Sequence, residues 1–362
     1  MNTPTILVTG ATGKTGATVV AQLREKGWPV RAAVRTIDER SARLERLGAQ
    51  IVVADLYDPR QLREAMRGTE RAYYCPPFEP FMIEAAAAFA VAAREEGLGA
   101  IVGLSQWLAG PSHPSLLTRQ HWLADQLFSS IPGVAYTIIN PGYFADNYLG
   151  RMIAMAAQLG VYPVLTGDSR NAPPSNEDIA RVAVAVLIDP DGHAGRSYRP
   201  TGPALLSAPE MVDIMGRVLG RKIRGVPMPL WLLGKSARRQ GGSAFLMSSL
   251  RAYHEDHRQG AFAFGAPTGD VLALTGRDPE DFETIVRRYA AMPEARRSLG
   301  SVAKAAADFL TLPIAPGYNL DRYERRLGFP VPPEPHYALQ DEHWKRDHAA
   351  QSARRPVPDI GR

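Results

Sequence analysis

The sequence predicts an α/β protein built on a doubly wound parallel sheet, with a smaller C-terminal substrate lobe interleaved with it. Three observations carry the prediction. Within the first 142 residues, six short β-branched runs alternate with longer amphipathic stretches, the pattern of right-handed βαβ units. A glycine-spaced turn, VTGATGKTG at 8–16, lies between the first run and the first amphipathic stretch. From about residue 145 the periodicity loosens and Pro and Gly become frequent, which places that part over the carboxyl edge of the sheet, where such sheets bind ligands.

In chain order the strands read TILVTG, PVRAAVR, AQIVVAD, RAYYC, AIVGLS and AYTIIN, which makes a Rossmann-type arrangement the expected one. The first helix is TGATVVAQLREKG, closed by Gly27, whose missing Cβ suits a left-handed stop. The apolar run AAAAFAVAA at 85–93 is too short to span a bilayer and reads as a helix packed on the sheet. SNEDIARVAVAVLIDP at 175–190 is an amphipathic helix opened by a Ser/Asn cap, and GRSYRPTGP returns a strand to the sheet. Residues 291–328 read as helical, and the Pro- and charge-rich tail after them either wraps the body or stays mobile. The expected division is an NAD(P)-binding Rossmann domain at 1–150 and a substrate lobe at 151–290, of which 175–202 return to the Rossmann sheet. A helical extension and tail fill 291–362.

Composition narrows the class. The net charge of +5 comes from 42 basic against 37 acidic residues, a small excess over a large surface that does not indicate nucleic acid. The clusters SARRQ (236–240) and RRYAAMPEARR (287–297) are accompanied by no recognisable nucleic-acid reading module and read as solvated helix faces. A single cysteine, Cys75, and a first strand that begins by Thr5 leave no disulfide framework and no room for a signal peptide, so the expected location is cytoplasmic, with no membrane partner. HEDH at 254–257 puts two histidines on one helix face, but no carboxylate or cysteine pattern completes a metal site, and none is expected.

The GKT within the turn suggests an ATP-type phosphate loop, yet the glycine which that motif requires at position 8 is a valine. Gly10, Gly13 and Gly16 instead follow a strand and open a helix with G-x-x-G-x-x-G spacing. They serve the tight turn, the approach of backbone to a pyrophosphate and the close packing of helix on sheet. Thr12, Lys14 and Thr15 complete the loop, and the positive helix end faces the phosphates. The second strand ends at Arg35, where an NAD site usually shows an acid. An arginine suits a 2′-phosphate, so NADP(H) is favoured over NAD(H), with Arg31 and Arg40 near enough to assist. Asp38 and Glu39 remain alternative ribose acids if the turn is longer. Asp55, followed by Leu56, can accept from an adenine amino group or cap the next helix.

GATGKTG (10–16), HWLADQLFSSIPGVAYTIINPGYFADNY (121–148) and EDIARVAVAVL (177–187) resemble the NmrA-like atypical short-chain dehydrogenases over most of residues 5–230. The resemblance implies NAD(P)H-dependent reduction of quinones, azo or triphenylmethane dyes or related acceptors, or else a redox-sensing regulator without turnover. Asn140 and Asp125 stand where the family carries Arg and Glu, which puts any ion pair there in doubt. The Tyr-x-x-x-Lys pair of typical short-chain dehydrogenases is missing: no lysine occurs between 27 and 221, and none has a tyrosine four residues before it. His121 aligns with the His or Lys of the family pattern and is expected to hold the nicotinamide ribose or donate a proton near neutral pH. Ser105, helped by Gln106, can bind a substrate oxygen or the nicotinamide. GLSQW (103–107) lacks the last glycine of a hydrolase elbow. Asn140, Pro141, Gly142, Tyr143 and Phe144 follow the sixth strand, with the two aromatics able to stack on a flat acceptor, and Pro76 and Pro77 lie alongside the cofactor. The expected catalytic set is thus His121, Ser105 and Tyr143. The expected function is hydride transfer from NAD(P)H to a flat conjugated acceptor, such as a quinone-like aromatic, with a homodimer kept open.

Overall fold

A computed structural model describes residues 3–150 and 152–352. The first half alternates strictly: β1 (Ile6–Val8), α1 (Lys14–Glu25), β2 (Val30–Val34), α2 (Glu39–Arg46), β3 (Gln50–Val53), α3 (Pro59–Met66), β4 (Arg71–Tyr74), α4 (Met82–Glu95), β5 (Ala100–Leu104), α5 (Leu116–Ser129) and β6 (Ala135–Ile139). Then come α6 (Ala145–Leu149), α7 (Met152–Leu159), β7 (Val161–Val164), β8 (Arg170–Asn171), α8 (Asn176–Ile188), β9 (Ser197–Tyr198), β10 (Leu206–Ser207), α9 (Ala208–Val218) and β11 (Arg224–Pro227). The rest is helical: α10 (Leu230–Arg239), α11 (Ala244–Gln259), α12 (Asp270–Thr275), α13 (Phe282–Ala290), α14 (Leu299–Thr311), α15 (Leu320–Leu327) and α16 (Glu342–Ser352).

Seven strands form one parallel sheet in the order β3-β2-β1-β4-β5-β6-β9. Chain direction across the sheet reverses between β1 and β4, so a crevice opens at their carboxyl ends. Continuous apolar runs make these strands because both faces are covered. Ile6 and Val8 pack with Val19, Leu23 and Val182 on one side, while Leu7 packs with Leu62, Phe89 and Phe128 on the other. The segment around Ser197 does return to the sheet, where Ile138 and Ile139 pair with Ser197 and Tyr198. Helix α8, capped by Ser175, covers α1 from the same excursion.

Beyond β6 the lobe has its own core, in which Tyr148, Ile153, Met215 and Ile285 meet. The stretch read as helical at 291–328 is broken into α14 and α15 by turns at Pro293–Ala295 and Leu312–Ile314, since a proline within a helix lacks the required N–H. The chain up to residue 352 lies against the body. Trp344 Nε1 donates to Trp107 O at 2.9 Å, Trp107 Nε1 donates to Ala261 O at 2.9 Å, and buried Arg199 pairs with Asp347 at 2.7 Å. The remainder of the tail, 353–362, is outside the described residues. Among the described residues no helix is long and apolar enough to cross a membrane.

Candidate functional site

The glycine loop leaves β1 at the crevice. Thr9 anchors it, its Oγ1 accepting from Cys75 N at 2.9 Å and so tying the end of β1 to the end of β4. Gly10 has φ +59°, and Gly13 N closes the turn by donating to Gly10 O at 2.9 Å. A Cβ on Gly16 would stand 2.3 Å from Gly10 O, so only glycine lets α1 approach the loop this closely. Helices α2, α3, α5 and α8 begin with side-chain caps from Asp38, Asp58, Ser115 and Ser175. Helix α1 does not: Gly13 supplies no cap, and no acid occupies its first turn. Its amide end therefore suits an anionic group. Lys14 is exposed and paired with Asp146. Thr15 is turned inward, its hydroxyl donating to Asn176 Oδ1 at 2.9 Å, so its backbone N–H is what it can offer at the loop.

From the loop a groove of about 230 Å³ runs over the ends of β2, β3 and β4. Gly10, Thr12, Arg35, Arg40, Asp55, Leu56, Pro76 and Pro77 line it. Several side chains near this groove are engaged elsewhere. Asp38 caps α2 through Arg40 N and Ser41 N, and Glu39 pairs with Arg43, so neither acid faces a ribose. Arg31 is spent on Gln50 Oε1 and on the carbonyls of Ala65 and Arg67. Asp58, not Asp55, caps α3, and Asp55 only receives Tyr57 N at 3.0 Å while staying at the groove. The rim is thus left with Arg35 and with Arg40, which shares Asp38.

The groove continues at Cys75 and Pro76 into a second cavity of about 340 Å³, mostly apolar. Ser105, Gln106, His121, Pro141, Gly142, Tyr143 and Phe144 all line it. Asn140 does not: its Oδ1 accepts from Ser197 Oγ at 2.6 Å and its N–H donates to Tyr198 O, so it ties β6 to β9 where the family arginine was in doubt. The sequence reading missed Phe78, Trp107, Leu246, Leu250, Tyr253 and Phe262, the last four of which come from α11 and the turn after it. Gln106 Oε1 is buried with no partner among the described residues, an acceptor facing unmet demand at this end.

Electrostatically the cavity is nearly neutral. Burial pushes the His121 imidazole down to about 3, so it is uncharged at neutral pH, which corrects its expected role as a proton donor there. Burial likewise raises the Tyr143 phenol to about 12. Asp125 makes no ion pair among the described residues. Its carboxyl takes Ser105 Oγ at 2.5 Å and Tyr136 Oη at 2.7 Å, and burial raises it to about 7 against both hydrogen bonds. His257 of the HEDH stretch is held by Tyr148 Oη and Ser169 Oγ, whereas His254 lies at a different surface cleft. Among the described residues no group of three or more potential ligands could hold a metal.

Comparison with known proteins agrees with this geometry. Residues 10–190 match a family described as NAD(P)H-binding. The chain is 34% identical over 293 residues to an NAD(P)H azoreductase of Xenophilus azovorans, covering 79% of this chain and 98% of that one. Among solved structures, the triphenylmethane reductase of Citrobacter sp. in complex with NADP(H) superposes with a TM-score of 0.68 at 20% identity, over 78% of this chain and 99% of that one. NmrA, a negative transcriptional regulator, superposes with a TM-score of 0.64 at 17% identity, over 79% and 95%.

Proposed function

This chain belongs to the NAD(P)H-binding family of NmrA-like atypical short-chain dehydrogenases, and on that premise we propose that it reduces a flat conjugated acceptor at the expense of NADPH. The acceptor class is a quinone, an azo compound or an enone. One observation carries the reading. A single groove begins at an uncapped helix end with glycine-only clearance, passes two arginines, and ends in an apolar aromatic cavity without a charged acid. Similarity to an azoreductase and to a triphenylmethane reductase supports the acceptor class.

The bound cofactor supplies hydride from nicotinamide C4. The loop amides at Gly10–Gly16 would hold the diphosphate, and Arg35 with Arg40 would hold the 2′-phosphate, since the nearby acids serve α2 instead. His121, as a neutral imidazole, is a hydrogen-bonding group for the nicotinamide end. Tyr143 and Phe144 wall the acceptor and exclude water. Acceptors whose added charge is delocalised fit a cavity that offers no ionised partner.

The test is NADPH oxidation against a panel of quinones, azo dyes and enones, with NADH run in parallel. Turnover is expected, with kcat/KM for NADPH roughly tenfold or more above NADH, the scale of a charge-assisted hydrogen bond. Similarity to NmrA and the missing Tyr-x-x-x-Lys pair favour one second reading, a sensor that binds NADPH and engages a partner. Tight NADPH binding with no turnover across the panel assigns that role instead.

A further inference from the structure

We infer that Asp125, acting through Ser105, is the proton source of this cavity, a buried carboxyl-hydroxyl relay in place of the absent Tyr-x-x-x-Lys pair. The inference rests on the reductase reading and adds the origin of the proton.

Ser105 stands between cavity and core. It lines the aromatic cavity at the end of β5, while its Oγ meets Asp125 Oδ2 at 2.5 Å on α5. Tyr136 Oη donates to the other carboxyl oxygen at 2.7 Å. All three residues are buried, at 4%, 6% and 4% exposure, so the carboxyl reaches solvent only through the serine or by local opening.

The arrangement is built into the strands. Tyr136 on β6 reaches α5 by lying across β5, and a Cβ on Gly103 would stand 2.3 Å from its hydroxyl. Gly103 and Ser105 of GLSQW are therefore not a hydrolase elbow. The glycine clears the path for the phenol, and the serine, two residues on, receives the carboxyl that the phenol fixes.

The groups facing Asp125 are all neutral or weakly acidic. They are Ser105 after β5, Tyr136 on β6 with Tyr74 of β4 behind it, and His121 one turn earlier on α5. With no cation to hold the ionised form, burial raises the carboxyl to about 7, so the acid and its conjugate base are both present at neutral pH. The two forms orient the serine oppositely. An ionised Asp125 takes the Ser105 proton for itself. A protonated Asp125 donates Oδ2–H to Ser105 Oγ, which frees the serine O–H to donate into the cavity.

Hydride from a dihydronicotinamide forms a new bond at a carbon or nitrogen of the acceptor, whose π bond breaks and leaves its electron pair on a conjugated oxygen or nitrogen. That atom takes the Ser105 proton while Ser105 Oγ takes the proton of Asp125 Oδ2. The acceptor gains H⁻ and H⁺, the nicotinamide is oxidised, and Asp125 is left as a carboxylate until solvent restores its proton. Neither His121, neutral down to about 3, nor Tyr143, raised to about 12, matches this task near neutral pH.

Two measurements test it. Infrared difference titration of the cofactor-free protein should show a protonated carboxyl band that disappears near pH 7 and is missing in Asp125→Asn. For turnover with NADPH and a quinone or azo dye, kcat of the wild type should fall as pH rises through about 7. Asp125→Asn, which still donates N–H to Ser105, should lose roughly 100- to 10,000-fold in kcat with little change in acceptor KM, and its pH dependence should vanish. Tyr136→Phe, which keeps the carboxyl, should move the falling limb to higher pH because the ionised form loses a donor. Wild-type rate and pH profile in Asp125→Asn, or an unmoved limb in Tyr136→Phe, overturns the relay and leaves the reductase intact. Absence of any turnover in the wild type overturns the reductase reading and the relay with it.

Discussion

The two ends of the groove are assembled in different ways. At the glycine-loop end, Gly10, Thr12 and Arg35 come from the first βαβ unit or its edge and Arg40 from the helix that follows, and this end offers backbone amides and exposed cations. At the aromatic end, Ser105, His121, Tyr143, Leu250 and Phe262 come from distant segments and meet as buried or half-buried side chains. The first depends on local conformation and the second on long-range packing. Damage to one should spare the other, and each substitution below tests that separation.

The largest effect is expected from Trp344→Ala. Trp344 packs with Trp107, Leu108 and Phe262, so truncation leaves a cavity and should cost about 3–5 kcal/mol, read by denaturant unfolding. Acceptor KM should rise as the Trp107 wall loosens, while NADPH affinity stays within about threefold, a small fraction of that energy. Equal losses at both ends would break the comparison.

Gly16→Ala is the converse. The added carbon meets Gly10 O, an overpacking cost of about 1–3 kcal/mol, so NADPH affinity measured by calorimetry should weaken roughly 5- to 150-fold. Arg35→Ala is milder because the side chain is exposed. Roughly five- to tenfold loss for NADPH, with NADH unchanged, is the outcome that assigns Arg35 to the 2′-phosphate.

The remaining effects concern pH and belong to the buried end alone. The Asp125 carboxyl is raised from 3.8 to about 7 on folding, so its contribution to stability is complete below about pH 4 and is lost as pH rises through 7. The Tm difference between Asp125→Asn and wild type should therefore grow more favourable to the variant from pH 5 to pH 8. His121 runs the other way: lowered from 6.5 to about 3, it contributes fully above 6.5, and the contribution is lost as the pH falls towards 3. In thermal melts His121→Gln should show a shallower acid limb than wild type.

The same local and long-range division governs what the sequence discloses. The inner strands β1, β2, β4 and β5 are visible because a strand buried on both faces is a short apolar run bounded by turns. The loop glycines are visible because a tight phosphate turn needs them in fixed spacing. The cap of α3 stays open in the sequence because Asp55 and Asp58 both precede Pro59, and only the backbone geometry selects Asp58. The α11 side chains of the cavity carry no motif: Leu246, Leu250 and Tyr253 look like any amphipathic helix until that helix docks. Asp125 was legible as a substitution and not as a network, since a strand-to-helix bond through Tyr136 depends on the space that Gly103 leaves.

The hydrogen bond between Trp107 O and Trp344 Nε1 spans 237 residues of sequence. During synthesis at roughly 5–20 residues per second, the earlier tryptophan waits some 10–50 s for the later one. Every residue that lines the glycine-loop groove lies within the first 79, so that end of the groove is synthesised well before the segment that backs Trp107. In chain order the aromatic cavity is therefore the last part of the groove to gain its backing.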